Sequence, residues 1–252
     1  MDVSTIAWTT IAVLCMATLY STVGHGGGSG YLAVLALAAA APEQMRPTAL
    51  LLNIVVSSIA TWKFTSGDMF RKDIFVPLIC ASVPAAFIGG FVEVSPQIYH
   101  PIVGLVLLFA SLRLFIPMHG AEKTTQPRIA FIVAAGCTIG FASGVIGVGG
   151  GIFLSPLILL LGWTTAKQTA AISAPFILAN SISGVCGIAV ENSGLPIQYS
   201  LMAPLAVAVV VGGYIGASFG SRKLGHVGLR TVLGVVLCLA SGKMFLSTFV
   251  SL

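Results

Sequence analysis

Two glycine stretches hold the residues whose types and spacing suggest chemistry. The first reads Val23-Gly-His-Gly-Gly-Gly-Ser-Gly-Tyr31, and the second Ile146-Gly-Val-Gly-Gly-Gly-Ile-Phe-Leu154. Each lies between apolar segments and is followed by a short apolar run, a polar turn and a threonine-alanine step, Thr48-Ala49 or Thr169-Ala170. Glycine disfavours helix by about 1 kcal/mol per residue, so a triplet interrupts one. In hydrocarbon the released N–H and C=O groups survive only inside protein or against a water-filled cavity. A helix that restarts near Ser29 or Ile152 presents unpaired N–H groups and the positive end of its dipole. Two such breaks at matching places point to a small site suited to an anion. Its expected core is Gly26, Gly27, Gly28 and Ser29 with Gly149, Gly150 and Gly151.

Polar residues that packing does not require cluster in the segments directly after the breaks. Thr48, Asn53, Ser57 and Ser58 lie in one half of the chain, and Thr169, Ser173, Asn180, Ser181 and Ser183 in the other. Their hydroxyls and amides can donate to an oxyanion, although in a membrane such groups also bond backbone carbonyls. Thr48, Asn53, Thr169, Ser173 and Asn180 are the expected lining. His25 has no polar counterpart, since Val148 takes its place. It is either a hydrogen-bonded packing residue or a group that touches ligand or carries a proton.

Other chemistries fit poorly. A Walker loop requires Gly-Lys-Ser/Thr, and neither glycine stretch has the lysine. A dinucleotide fingerprint fails at its last glycine in Gly24–Ser29 and in Gly147–Ile152. No HExxH pattern is present and the four histidines are far apart, so neither a metal site nor an enzyme is expected. The five cysteines stand alone in apolar segments, without C-x-x-C spacing, and are expected as small buried hydrophobes. Every Asp and Glu falls at a segment end or in a loop, which omits the carboxylate relay of a proton pump or cation antiporter. Arg46 and Lys167 occupy the turns before the Thr-Ala steps, as snorkelling anchors or as attractors of an anion.

The elements that position these residues must be membrane helices. The chain has 252 residues, 57% of them hydrophobic and only 8% charged, where a soluble protein carries about a quarter charged residues. A net charge of +5 follows from basic cytoplasmic loops, and twelve scattered Lys and Arg form no nucleic-acid surface. Apolar segments fall near 4–23, 29–41, 47–64, 74–93 and 99–117, then near 128–146, 152–162, 167–190, 199–220 and 227–250. The first is expected to be retained, because no basic residue precedes it. Residues 29–41 and 152–162 are too short to span upright and are expected as re-entrant arms or pieces of broken spans.

The two halves echo one another. Phe87-Ile-Gly-Gly matches Tyr214-Ile-Gly-Ala, and Leu108–Phe115 matches Cys238–Phe245 with its Ala-Ser pair, basic residue and phenylalanine. Residues 1–117 and 128–252 thus read as two transmembrane repeats joined by a linker at 118–127. Basic loops near 65–73, 118–128 and 221–226 are expected in the cytoplasm, and those near 94–98 and 191–198 outside. That order makes the duplication inverted. The fold class is all-α polytopic, with glycine-broken or re-entrant half-helices. Gly136, Gly140 and Gly144, like Gly212, Gly216 and Gly220, are spaced for close helix packing.

At these residues the chain resembles the sulfite exporter TauE/SafE family of membrane permeases. The likeness rests on Gly144-Val-Ile-Gly-Val-Gly-Gly-Gly151 with Pro156, on Thr169-Ala-Ala-Ile-Ser173, and on Pro175-Phe-Ile-Leu-Ala-Asn-Ser181. Gly24–Gly28 through Thr48 echoes the same plan, without the proline-phenylalanine step and with His25 added. The resemblance implies a secondary transporter of a small sulfur anion (sulfite, thiosulfate or an organosulfonate) in the inner or plasma membrane. Alternating access around a midplane site is the expected mechanism, and an anion channel on the same fold is the alternative. The expected partners are that anion and the lipid bilayer, with no cofactor and no nucleic acid; a homo-oligomer is left open.

Overall fold

The computed structural model describes residues 2–21, 26–64, 69–115, 124–219 and 226–250. His25, the Ser66–Asp68 turn and most of the linker lie outside the described residues. Ten helices follow in order: α1 (Val3–Ser21), α2 (Gly28–Leu37), α3 (Pro42–Phe64), α4 (Lys72–Phe91), α5 (Pro96–Phe115), α6 (Ile129–Ile146), α7 (Gly151–Leu160), α8 (Ala166–Glu191), α9 (Tyr199–Phe219) and α10 (His226–Val250). No strand occurs among the described residues. Five helices, α1, α4, α6, α8 and α9, are long and apolar enough to cross a membrane.

The two short helices are half-length arms. Ten residues of α-helix reach about 15 Å, half of the hydrocarbon core. The end of α7 comes back to where α6 began: Thr125, just before α6, donates its N–H to Gly162 O at 2.8 Å. The short helix α7 therefore doubles back along α6. The start of α2 packs on the last turns of α1, where Ser29 and Gly30 meet Tyr20 and Met16.

Both arms end in the same cap. Ala39 N–H bonds Ala36 O and Ala40 N–H bonds Leu35 O; Gly162 to Leu159 and Trp163 to Ile158 repeat that pattern. The left-handed position holds Gly162 at φ 65° in one copy and Ala39 at φ 54° in the other. An L-residue with a β-carbon loses about 1–2 kcal/mol in that conformation. Ala39→Gly should therefore raise the thermal midpoint by a few degrees, less the chain entropy that glycine adds to the unfolded state. A lower midpoint would contradict the strain. Because this cap closes at Ala39, α2 is shorter than the apolar run 29–41. Pro42, whose fixed φ suits a first helical turn, then starts α3 earlier than the apolar run at 47 suggests. Arg46 and Lys167 consequently lie in the opening turns of α3 and α8, not in loops.

Small residues set the helix pairing. A β-carbon on Gly136, Gly140 or Gly144 would lie 2.2 to 2.6 Å from the carbonyl oxygens of Leu78, Ser82 or Ala86, so α6 runs parallel to α4 with backbones touching. Gly212 and Gly216 press on Leu14 O and Thr18 O in the same way, which joins α9 to α1. The α5–α10 pair is held differently. Ser111 Oγ donates to Gly234 O and Ser241 Oγ to Gly104 O, both at 2.7 Å. Advancing along α5 thus means retreating along α10, and the two run antiparallel.

Long α3 and α8 cross at the centre, beside the starts of α2 and α7. All five cysteines are exposed, contrary to the buried role expected for them. In a membrane the outer surface is as apolar as the core, so an apolar setting in sequence does not imply burial.

Candidate functional site

Gly27 and Gly150 stand at the N-cap positions of α2 and α7 with φ of 87° and 80°, a left-handed conformation that a β-carbon strains. Neither helix has a side-chain cap on its first N–H groups. In α2 the first backbone bond runs from Tyr31 N–H to Gly27 O, and in α7 from Phe153 N–H to Gly150 O. The opening N–H groups of each arm therefore have no acceptor within their own helix.

The two glycine loops meet tip to tip. A β-carbon on Gly28 would lie 2.3 Å from Val148 O and 2.5 Å from Asn53 Nδ2. Asn53, wholly buried in α3, donates Nδ2 to Val148 O at 3.0 Å and so ties the first half to the second loop. On the other flank, Gly149 (φ 77°) lies against Ser181 Oγ and Asn53 Nδ2, where a β-carbon would come within 2.8 and 2.9 Å. Ile177 fills the gap between the loops, its methyl groups reaching Gly26, Gly149 and Gly151.

Several buried polar atoms around this junction have no hydrogen-bond partner. They are Asn53 Oδ1, Tyr31 OH, Ser143 Oγ and Ser181 Oγ, and Asn180 Oδ1 in α8 is unpaired as well. Tyr31 OH lies beside Gly27, and Ser143 beside Gly150. Leaving such a group unpaired costs about 1–3 kcal/mol, so four around one junction call for an explanation. A bound polar ligand supplies one. Among the described residues no Asp, Glu, Lys or Arg side chain touches Gly28, Gly149 or Gly150, and no His, Cys, Asp and Glu group could hold a metal ion.

The remaining expected residues have other partners. Ser29 shares a hydrogen bond with Tyr20 at 2.9 Å, and Ser173 one with Ser155 of α7 at 3.0 Å, behind the arms. Asn180 donates to Phe176 O of its own helix at 2.8 Å and leaves its oxygen open. Thr169 is taken up by the α7–α8 turn, bonding Thr164 at 2.7 Å and Thr165 O at 2.9 Å. Thr48 is buried in α3, before Asn53. Tyr31, Ser143 and Ile177 were absent from the expected lining. Tyr31 ends the first glycine stretch and reaches Gly27 within one helical turn, and Ser143 stands four residues before Gly147 in α6; neither was singled out as a site residue.

Residues 9–244 match the family described as Sulfite exporter TauE/SafE. Probable membrane transporter protein y4hK of Sinorhizobium fredii is 37% identical over 240 residues, which cover 93% of this chain and 96% of that protein. Probable membrane transporter protein MamO of Magnetospirillum gryphiswaldense is 24% identical over 76% of this chain, a match that takes in 36% of MamO. No solved structure matches. The glycine motifs, the apolar helices and these matches together make the chain a multi-pass membrane transporter that belongs to the sulfite exporter TauE/SafE family.

Proposed function

We propose that the protein is a secondary transporter that carries a small sulfur-containing anion, sulfite, thiosulfate or an organosulfonate, across the cytoplasmic membrane by alternating access. The observation that carries this reading is the meeting of two half-helix N-termini among unpaired buried hydroxyls, with no carboxylate among the described residues there. Positive dipole ends and hydroxyl donors suit an oxyanion, and no described carboxylate stands there to neutralise a cation. The open Asn53 and Asn180 oxygens would accept from a protonated form such as hydrogensulfite. The family description supports the sulfur class.

Antiparallel α5 and α10, and the matched pairs α1–α9 and α4–α6, favour two repeats of inverted topology, residues 1–117 and 128–252. In that arrangement α2 enters from outside, α7 from the cytoplasm, and the halves rock about the glycine junction. Anion-dependent thermal stabilisation of the purified protein tests the substrate class. At one hundred times its Kd, an anion that binds only the folded state adds about 2.7 kcal/mol, several degrees in the midpoint. Sulfite, thiosulfate or sulfoacetate should shift the protein, whereas chloride should leave it alone. Stabilisation by chloride alone would overturn the reading.

A further inference from the structure

A second polar feature lies away from the glycine junction. A cleft of about 480 Å³ opens among the α2–α3 turn, the α4–α5 loop and the α8–α9 loop, lined by Glu43, Arg46, Glu93, Ser95, Tyr99 and Asn192 among others. Arg46 is the only Lys or Arg in that lining. Its guanidinium is engaged entirely with neutral acceptors: Nη1 donates to Val92 O at 3.1 Å, and Nη2 to Gly89 O, Gly90 O and Gly144 O at 3.0, 3.1 and 3.0 Å. Those carbonyls end α4 and α6. Nε is buried without a partner, and among the described residues no carboxylate bridges to Arg46, although two line the same cleft.

The cleft shares a wall with the second glycine loop. A β-carbon on Gly147 would lie 2.9 Å from Arg46 Cα, and Tyr99 OH donates to Ile146 O at 3.1 Å. The bonds from Arg46 to carbonyls carry charge on the donor alone. An oxyanion adds the opposite charge on the acceptor, and the guanidinium fork matches paired oxygens.

We propose that this cleft is a second anion site on the transport path, outward of the glycine junction, with Arg46 as its recognising cation. An anion that takes the Arg46 donors frees the carbonyl ends of α4 and α6, and so loosens the wall between cleft and junction. Exposed Glu43 and Glu93 keep occupancy low and speed release. This rests on the transporter reading above and on its orientation.

The test measures sulfite flux in oriented proteoliposomes from each face. Arg46→Gln should raise the half-saturating sulfite concentration at the outer face at least tenfold and leave the cytoplasmic value within twofold. Arg46→Lys should recover part of the loss. The double variant Glu43→Gln/Glu93→Gln should lower the outer value severalfold at low ionic strength, an advantage that vanishes at high salt. The double variant changes only exposed side chains, so it decides the matter should Arg46→Gln fail to fold. Unchanged outer values in the glutamine variants, with sulfite flux intact, would overturn the cleft site alone. Absence of any sulfite binding or flux in the native protein would overturn the transporter reading and this site with it.

Discussion

Gly28→Ala should abolish sulfite flux and anion-dependent stabilisation while the protein still inserts and keeps its helical circular dichroism. Gly28 opens α2 without a left-handed φ, so its own backbone accepts alanine. The obstacle is the opposite loop. The new methyl would lie 2.3 Å from Val148 O and 2.9 Å from Val148 C, both backbone atoms of the second glycine loop. Backbone cannot rotate away as a side chain can, so the loops must part by about 1 Å, and overpacking of this kind costs about 1–3 kcal/mol. That separation opens the Asn53–Val148 bond and moves the two helix N-termini off a shared ligand. Gly242→Ala supplies the control, because nothing lies within 4 Å of a β-carbon there. In α10 it should be neutral or slightly stabilising. Normal flux in Gly28→Ala would show that the loops do not meet at a working site.

The ten apolar segments correspond to ten helices because hydrocarbon leaves the chain few choices: a spanning segment must bond its own backbone. The glycine triplets marked the starts of α2 and α7 for the same reason, since only glycine tolerates φ near 80° at Gly27 and Gly150. Side-chain direction was far less legible. In a soluble helix polarity marks the face turned to water, but a lipid-facing stripe and a core-facing stripe are equally apolar. Hence the exposed cysteines looked buried, and nothing in the sequence marked Ser143 as facing the junction. Arg46 was misplaced for another reason. A charged residue beside Pro47 reads as a turn, yet α3 begins at Pro42 and carries Arg46 inward to four carbonyls that lie 43 to 98 residues away in sequence. Asn53 was legible as a polar outlier, but its partner Val148 lies 95 residues on and leaves no local trace.

Asn53→Leu and Ser181→Ala should separate holding the loops together from holding the anion. Asn53 does both under the proposed function: one N–H bonds Val148 O, and the open Oδ1 lies beside Gly26. Leucine keeps the volume, strands a buried carbonyl at a cost of about 1–3 kcal/mol, and removes a donor worth about 1.5–3 kcal/mol to a charged ligand. Thermal stability should fall, and anion affinity should drop by about 10- to 100-fold. Ser181 differs because its hydroxyl is buried against Gly149 and has no hydrogen-bond partner. Alanine removes an unpaired polar group, so the unliganded protein should gain about 1 kcal/mol or more even as anion affinity weakens about tenfold. A structural hydroxyl would lose stability and a bystander would leave affinity alone; only a ligand-binding group held in reserve gives opposite signs. Thermal midpoints measured for both variants with and without sulfite decide among the three, and a Ser181→Ala protein that is less stable yet binds sulfite normally would remove this hydroxyl from the site.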